Sequence, residues 1–151
     1  MPEITPFLWY DHQAEEAANF YVSLFPDSRV LEVTRNGDAA FVVTFELRGQ
    51  RVIALNGGPD YRLTEAFSFY VGCADQAEVD RLWDALTADG GEESRCGWLK
   101  DRYGLSWQII PEEMPKLLGD PDPERAGRVG EAMMKMAKID LQALRDAHAG
   151  V

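Results

Sequence analysis

Histidine, cysteine and basic side chains are scarce in this sequence. Only His12 and His148 are histidines and only Cys73 and Cys96 are cysteines among 151 residues. Two histidines argue against a metal centre built from several imidazoles, and two cysteines without a secretory signal indicate reduced thiols rather than a disulfide framework. Because 26 acidic residues outnumber 15 basic ones, the net charge is −11. This charge opposes binding to nucleic acid and to anionic membranes, so we expect neither as a partner.

Long hydrophobic runs are also missing. The longest apolar segments, residues 41–45 and 52–55, have the length of a strand, whereas a membrane-spanning helix needs about 20 residues. The start of the chain lacks the basic and apolar segments of a secretory signal. We therefore expect a cytoplasmic protein. Hydrophobic residues still make up 46% of the chain, which is enough for the core of one domain.

The predicted secondary structure runs through the same order of elements twice. Hydrophobic alternation predicts strands, and apolar residues at three- and four-residue steps predict helices. Each half starts with a strand, continues with one helix and ends with further strands, which indicates a duplicated module. The first half comprises a strand at 4–10, a helix at 14–25 and strands at 30–35, 40–47 and 51–56; the second comprises a strand at 67–73, a helix from Asp75 and strands at 92–96, 98–100 and 105–110.

Two such modules would form one α+β domain. Each helix would bury its apolar face on one face of a sheet, and pairing the halves would curl a mixed β-sheet around a shared cleft. We predict a two-module domain over 1–111, with the modules at about 1–57 and 65–111. Residues 112–151 are predicted to be a C-terminal helical extension of the same domain. The cleft is the predicted ligand site.

Capping residues mark two of the predicted helices. Asp75 with Glu78 three positions later forms a capping-box pattern, and Asp122 before Pro123 is typical of a helix start. The helix after Asp122 would carry an apolar stripe that must be covered. It could pack on its own domain, close one end of the cleft or lie across a second subunit. The stripe consists of Ala126, Val129, Met133, Met136 and Ala137, extended by Leu141 and Leu144.

A hairpin predicted over residues 96–111 holds the first candidate for ligand binding. Alternation in its second strand places Trp107 on one face and Gln108 on the other. We expect Trp107 to lie in the core. Gln108 would hydrogen-bond a carbonyl or hydroxyl group of a ligand, or alternatively would tie two strands together.

Aromatic residues on the strands that begin the modules are further candidates for the wall of the cleft. Alternation alone cannot tell which of them face the cleft and which face the helices. Asn56 ends its strand before two glycines, and it could face the ligand or bond to its own turn. No nucleophile paired with a base is evident, so catalytic residues stay unassigned. Together with Gln108, the predicted ligand-binding residues are Asn56, Phe7, Trp9, Phe69, Tyr70 and Trp98.

Several motifs, taken in order, resemble one known family. That family is the PhnB-like branch of the vicinal oxygen chelate superfamily, often described as the 3-demethylubiquinone-9 3-methyltransferase domain. The resemblance extends to the helical tail, at Met133, Met136 and residues 138–140. It implies paired βαβββ modules, a cupped sheet and a homodimer. The motifs are Asn56-Gly57-Gly58-Pro59, the segment from Phe69 to Asp75-Gln76 with Glu78 and Asp80, Cys96-Gly97-Trp98-Leu99-Lys100-Asp101, and Ser106-Trp107-Gln108.

The resemblance also bears on metal binding. Related enzymes such as glyoxalase I and the extradiol dioxygenases hold a divalent metal with His and Glu from strands of both modules. Here the strand at 4–10 has neither residue, and Gln108 stands where a ligand glutamate often sits. A neutral amide lacks the charge that holds a dication. We expect no cofactor, with a divalent metal as the minor alternative. Where a ligand histidine would be expected, the sequence has Ser68, Phe69 and Tyr70.

The sequence therefore predicts a protein that binds a small apolar or aromatic molecule, such as a quinone, in its cleft. The alternatives are a metal-dependent enzyme of the glyoxalase or dioxygenase type, the methyltransferase of the family description, and a dimerisation scaffold with a filled cleft. Common S-adenosylmethionine enzymes need a glycine-rich turn between a strand and a helix. Here Gly57 and Gly58 are followed by a predicted loop and strand, which disfavours methyl transfer.

Overall fold

The computed structural model describes residues 1–151 and divides into two compact units, Met1–Thr64 and Glu65–Val151. Each unit contains one four-stranded mixed sheet. The predicted α+β class, with its two strand–helix–strand modules and helical C-terminal segment, is confirmed. In chain order the elements are β1 (Phe7–Tyr10), α1 (Ala14–Leu24), β2 (Arg29–Asn36), β3 (Ala39–Leu47), β4 (Gln50–Asn56), β5 (Ser68–Cys73), α2 (Gln76–Thr87), β6 (Glu92–Glu93), β7 (Trp98–Lys100), β8 (Ser106–Pro111), α3 (Glu113–Leu118), α4 (Pro123–Met134) and α5 (Leu141–Ala149).

The sheet of the first unit has the strand order β1-β4-β3-β2, with β1 parallel to β4 and the other pairs antiparallel. Helix α1 buries its apolar stripe, which includes Ala17, Ala18 and Tyr21, against one face of this sheet. Leu8 and Tyr10 point to the same face, so alternation turns Phe7 and Trp9 to the opposite one.

The sheet of the second unit repeats this arrangement in the order β5-β8-β7-β6. The predicted cap of α2 is present, since Asp75 Oδ1 accepts a hydrogen bond from the Glu78 backbone N–H at 2.9 Å. The buried stripe of α2 packs on the sheet face that carries Leu99 and Trp107. Trp107 is fully buried there, so its predicted place in the core is confirmed.

The C-terminal helices α3, α4 and α5 form a small core of their own around Ile110 of β8. Asp122 caps α4 as predicted, accepting a hydrogen bond from the Glu124 N–H at 2.9 Å. Of the three alternatives for the tail, packing on its own unit is therefore present, because Ile110 belongs to the second sheet. This core consists of Ile110, Met114, Val129, Ile139 and Leu144.

Two members of the predicted helical stripe of the tail lie beyond the end of α4. Helix α4 ends at Met134, and Met136 and Ala137 lie in the segment that follows it. The carbonyl groups of these two residues accept hydrogen bonds from the backbone N–H groups of Cys96 and Gly97, each at 2.8 Å. These carbonyls therefore bond to the start of β7 rather than continuing a helix.

Gln76, at the first turn of α2, fastens the tail to the second unit. Its Nε2 donates to the Ile139 carbonyl at 2.9 Å, and its Oε1 accepts from the Leu141 N–H at 2.8 Å. Lys138 forms an ion pair with Asp80 at 3.0 Å. None of the five helices has the length and hydrophobicity required to span a bilayer.

Candidate functional site

The face of the second sheet opposite α2 carries the strongest candidate site, and we name it the Gln108 face. The strand register fixes its composition, because side chains of directly paired residues lie side by side. Its members are Ser68, Tyr70 and Gly72 from β5, Ser106, Gln108 and Ile110 from β8, Trp98 and Lys100 from β7, and Glu92 from β6.

The middle row of this face places an amide between two aromatic side chains. Gln108 lies on the central strand, paired with Tyr70 on one side and Trp98 on the other. Gln108 and Trp98 are half-buried, and Tyr70 is 55% exposed. Partial burial raises the pKa of the Tyr70 hydroxyl above its ordinary value, so this group keeps its proton at neutral pH. Apolar walls with a few polar groups are typical of small-molecule sites.

The Gln108 amide makes one hydrogen bond within the protein, and its oxygen remains available as an acceptor. Its Nε2 donates to Ser68 Oγ at 3.1 Å, whereas its Oε1 accepts no hydrogen bond from the protein. This hydrogen bond ties β8 to β5, which is one of the two roles that the sequence suggested for Gln108. The same contact orients the carbonyl oxygen, so a role in ligand binding stays a prediction.

The row on one side of Gln108 is polar. Ser68 pairs with Ser106, and Ser106 pairs with Lys100. Lys100 Nζ lies 2.5 Å from Glu65 Oε1. This hydrogen bond raises the pKa of Lys100 and lowers the pKa of Glu65, so both groups are charged at neutral pH. The Lys100 charge is therefore balanced locally.

The row on the other side of Gln108 is apolar. It pairs Gly72 with Ile110, and the tail core covers Ile110. The Gln108 face consequently changes from polar to apolar along β8. Because the tail core buries Ile110, the half-buried and exposed side chains of this face lie around Gln108 and on the side of Lys100.

Phe69 lies on the other face of the sheet. It pairs with Trp107, and the two ring centroids are 5.2 Å apart. It also packs edge-on against Phe67 at 5.4 Å. Of the aromatic residues predicted for the second module, the structure therefore brings Tyr70 and Trp98 to Gln108 and leaves Phe69 against the α2 side.

Phe7 and Trp9 share the face of the first sheet that is opposite α1. Phe7 is 56% exposed. Trp9 is fixed by a hydrogen bond from its Nε1 to the Gly58 carbonyl at 2.9 Å and by an edge contact with Tyr61 at 4.9 Å. A Cβ at Gly57 would lie 2.3 Å from the Trp9 ring, so only glycine fits beneath it.

Asn56 has both ends of its amide engaged within the fold. Its Oδ1 accepts from the Ala14 N–H at 2.8 Å, and its Nδ2 donates to the Ala40 carbonyl at 3.0 Å. Gln13, at the N-cap of α1, supplies no side-chain cap. Asn56 therefore caps α1 from a distant strand, a role that explains the residue without any ligand.

An open groove of about 610 Å³ lies in the first unit, between the start of α1 and the β2–β3 hairpin. An ion pair of Arg35 with Glu15, at 2.7 Å, lies within its lining. The lining is mostly charged or polar and contains one aromatic residue, Phe41. This composition suits a small aromatic molecule less well than the Gln108 face does.

The residues present do not fit the divalent ion held by enzymes of the vicinal oxygen chelate superfamily. The Gln108 face offers one amide oxygen and serine and tyrosine hydroxyls near Gln108, while its carboxylates lie at the edges: Glu65 is paired with Lys100, Glu92 lies beside Lys100, and Glu112 lies against Gly72. Hard dications need several oxygen ligands with negative charge. The whole chain contains no group of three or more His, Cys, Asp or Glu side chains arranged to hold a metal.

The two cysteines differ in their surroundings, and their reactivity should differ accordingly. Burial raises the pKa of the Cys73 thiol to about 12, while Cys96 is half-buried with its Sγ 3.7 Å from the sulfur of exposed Met134. With Ellman's reagent at pH 8, we expect one thiol to react within minutes and the second only after unfolding, because the thiolate is the nucleophile.

A Cys96→Ser variant should lose the fast phase of that reaction, and two equally fast thiols in the native protein would contradict the assignment. The same burial has a consequence for stability. An unfolded cysteine ionises near about pH 8.5, whereas folded Cys73 keeps its proton. Its contribution to stability is therefore complete below that pH and declines as the pH rises towards about 12.

Two polar members of the Gln108 face, Ser68 and Ser106, were not predicted as site residues. Alternation placed Ser106 on the side of Gln108, but only the parallel pairing of β5 with β8 brings Ser68 beside it. That pairing joins residues 38 positions apart, so no local signal in the sequence reveals it.

Comparison with known proteins assigns the family. Residues 2–110 match the family described as 3-demethylubiquinone-9 3-methyltransferase. The PhnB protein from Bacillus cereus is 31% identical with a TM-score of 0.68, over 73% of this chain and 99% of that one. Protein PA1353 from Pseudomonas aeruginosa is 19% identical with a TM-score of 0.63, over 74% and 98% of the two chains, which shows the fold alone. No curated protein is significantly similar to the chain.

The family match ends at residue 110, so the helical tail lies outside it. The resemblance noted at Met133 and Met136 lies beyond this match and stays a prediction. The Bacillus cereus protein is covered almost completely by 73% of this chain, so this chain is longer than that relative by about the length of the tail. Because the match spans well over half of the sequence, the chain belongs to the 3-demethylubiquinone-9 3-methyltransferase family, the PhnB-like family that its motifs indicated.

Proposed function

We propose that this protein binds a small, largely apolar or aromatic molecule on the Gln108 face. The observation that carries the proposal is the middle row, in which the amide oxygen of Gln108 is without a protein donor between Tyr70 and Trp98. The two aromatic side chains would provide apolar contact with the ligand, and the amide oxygen would orient it by accepting a hydrogen bond. Aromatic pairs contribute about 0.5–1.5 kcal/mol beyond the area that they bury.

Binding is proposed to be independent of divalent cations. The polar groups around Gln108 are a neutral amide and hydroxyls, and at the edge of the face a lysine whose charge Glu65 balances lies beside Glu92. Such groups recognise a neutral polar edge of a ligand through hydrogen bonds and do not compete for metal ions. The minor alternative is a metal-dependent enzyme of the glyoxalase or dioxygenase type, and binding that requires a metal would favour it.

The methyltransferase activity in the family description remains a second alternative. In this chain the Gly57-Gly58 segment follows β4 and leads to β5 without an intervening helix. The glycine-rich turn of common S-adenosylmethionine sites instead opens a helix after a parallel strand. Here the segment packs against the Trp9 side chain, and the N–H groups of Gly57 and Gly58 donate to the Tyr10 and Asp11 carbonyls.

The test is an isothermal titration calorimetry experiment in which the purified protein is titrated with 2-naphthol, a small aromatic probe, with and without EDTA. We expect saturable binding that EDTA does not change. Gln108→Leu should weaken binding about tenfold, which is the loss of one hydrogen bond of about 1.4 kcal/mol. The matched control is Gln50→Leu, because Gln50 is exposed in the first unit and its amide donates only to the neighbouring Arg51 carbonyl.

Three results would contradict the proposal. Absence of saturable binding would show that the Gln108 face is not a site for this class of molecule. Equal affinity in Gln108→Leu and Gln50→Leu would remove Gln108 from the site. Binding abolished by EDTA and restored by a divalent cation would replace the proposal with the metal-dependent alternative.

A further inference from the structure

Ser106 is the one fully buried side chain of the Gln108 face with an unsatisfied polar atom. Its exposure is 1%, and its Oγ has no hydrogen-bond partner within the protein. Leaving a buried hydroxyl unpaired destabilises the folded state, and such groups in folded proteins normally have a partner or a function. The fold itself therefore supplies no reason for a serine at this position.

The location of Ser106 connects it to the proposed site. It lies two residues before Gln108 on β8, so both side chains point to the same face of the sheet. Its direct neighbour across the sheet is Ser68, whose Oγ accepts the hydrogen bond from Gln108 Nε2 at 3.1 Å. The Gln108 amide thus leans back along the strand towards the row that contains Ser106.

From this placement we infer that Ser106 and Gln108 together select a ligand that carries a hydroxyl group. This inference rests on the proposed function and specifies the polar end of the molecule. Gln108 Oε1 can only accept a hydrogen bond, whereas the Ser106 hydroxyl can donate one. A single hydroxyl oxygen satisfies both, since it donates to Gln108 and accepts from Ser106.

Other polar groups fit this pair less well. A carbonyl or carboxylate oxygen accepts only, so it could accept from Ser106 and from the second Nε2 hydrogen of Gln108 but would leave Gln108 Oε1 without a donor. A methyl group satisfies neither atom. A charged group also finds no counter-ion in the polar row, because Lys100 is paired with Glu65. The selected ligand is therefore a neutral, hydroxylated aromatic or apolar molecule.

The experiment compares 2-naphthol with 2-methylnaphthalene, which has nearly the same shape but no hydroxyl. We expect the wild-type protein to bind 2-naphthol about tenfold more tightly, as one or two ligand hydrogen bonds require. In Ser106→Ala this preference should fall several-fold, while the affinity for 2-methylnaphthalene stays unchanged. The melting temperature without ligand should stay the same or rise, because the substitution removes an unpaired buried hydroxyl.

Ser23→Ala is the matched control, since Ser23 is exposed on α1 and its Oγ donates to the Phe20 carbonyl. It should change neither the preference nor the affinities. If wild type binds neither probe, the proposed function fails and this inference fails with it. If both probes bind equally, or Ser106→Ala keeps the wild-type preference or loses both probes alike, the inference is overturned while the proposed function stands. A clear drop in the melting temperature of Ser106→Ala with an unchanged preference would assign the serine a structural role instead.

Discussion

Replacing Asp101 by alanine is expected to lower the free energy of unfolding by about 3 kcal/mol. Asp101 is 2% exposed, and its Oδ1 accepts hydrogen bonds from the backbone N–H groups of Tyr103 and Leu105 at 2.8 and 3.1 Å. Its Oδ2 accepts from the indole N–H of Trp107 at 2.9 Å. Alanine would leave three donors without this acceptor, and two of the acceptor contacts are buried.

Equilibrium unfolding in urea measures this loss. Asp101→Asn should fall between wild type and Asp101→Ala, because the amide keeps one acceptor oxygen but turns an N–H₂ group towards a donor. Asp60→Ala is the control, since Asp60 is an exposed loop residue, and we expect a change below about 0.5 kcal/mol. A change below about 1 kcal/mol in Asp101→Ala would contradict the proposed role of this carboxylate in the hairpin.

Gly97→Ala is expected to have the second largest effect, a loss of about 3 kcal/mol from two separate causes. Gly97 has a φ of +86°, in the left-handed region that favours glycine. An added Cβ would also lie 2.5 Å from Ile110 Cδ1 and 3.1 Å from Ile139 Cγ1. The substitution therefore strains the backbone and pushes β8 away from the tail core.

Gly104→Ala separates these two causes. Gly104 has a similar φ of +91°, but an added Cβ there would meet no atom within 4 Å. Its expected loss is about 1–2 kcal/mol, the backbone strain alone. The difference between the two variants in urea unfolding measures the cost of the clash with Ile110 and Ile139. Equal losses would show that the added Cβ is accommodated without cost, contrary to the close packing at Gly97.

Local patterns in the sequence predicted those features whose cause is local. The caps Asp75 and Asp122 act on residues two or three positions away, and both were predicted correctly. Alternation along one strand correctly separated Trp107 from Gln108. These predictions needed only the periods of a helix and a strand.

Features that depend on residues far apart in the chain were not predicted from these local patterns. Asn56 caps a helix that starts 42 residues earlier, and Gln76 holds a tail segment 63 residues later. The face of Phe69 is fixed by its pairing with Trp107 on a strand that follows much later in the chain. Sequence alternation gives two sets of residues for each strand, and only the partner strands and the covering helix decide which set is buried.

The composition of the candidate site was predicted in part for the same reason. Gln108, Tyr70 and Trp98 were predicted as ligand-binding residues, and the structure places them in one row. Ser68 and Ser106 complete this face through the parallel pairing of β5 and β8. The homodimer implied by the family stays a prediction, which light scattering at two protein concentrations can test.

The most direct test of the central claim is a nuclear magnetic resonance titration of the labelled protein with 2-naphthol. The account predicts saturable shifts of the Gln108 side-chain amide and the Trp98 indole N–H with one dissociation constant. The indole N–H of Trp83 should stay unchanged, because Trp83 belongs to α2 on the opposite face of the sheet and donates to Glu93 at 2.7 Å. Shifts confined to residues of the charged groove in the first unit, or no saturable shift at Gln108, would contradict the claim that the Gln108 face is the binding site.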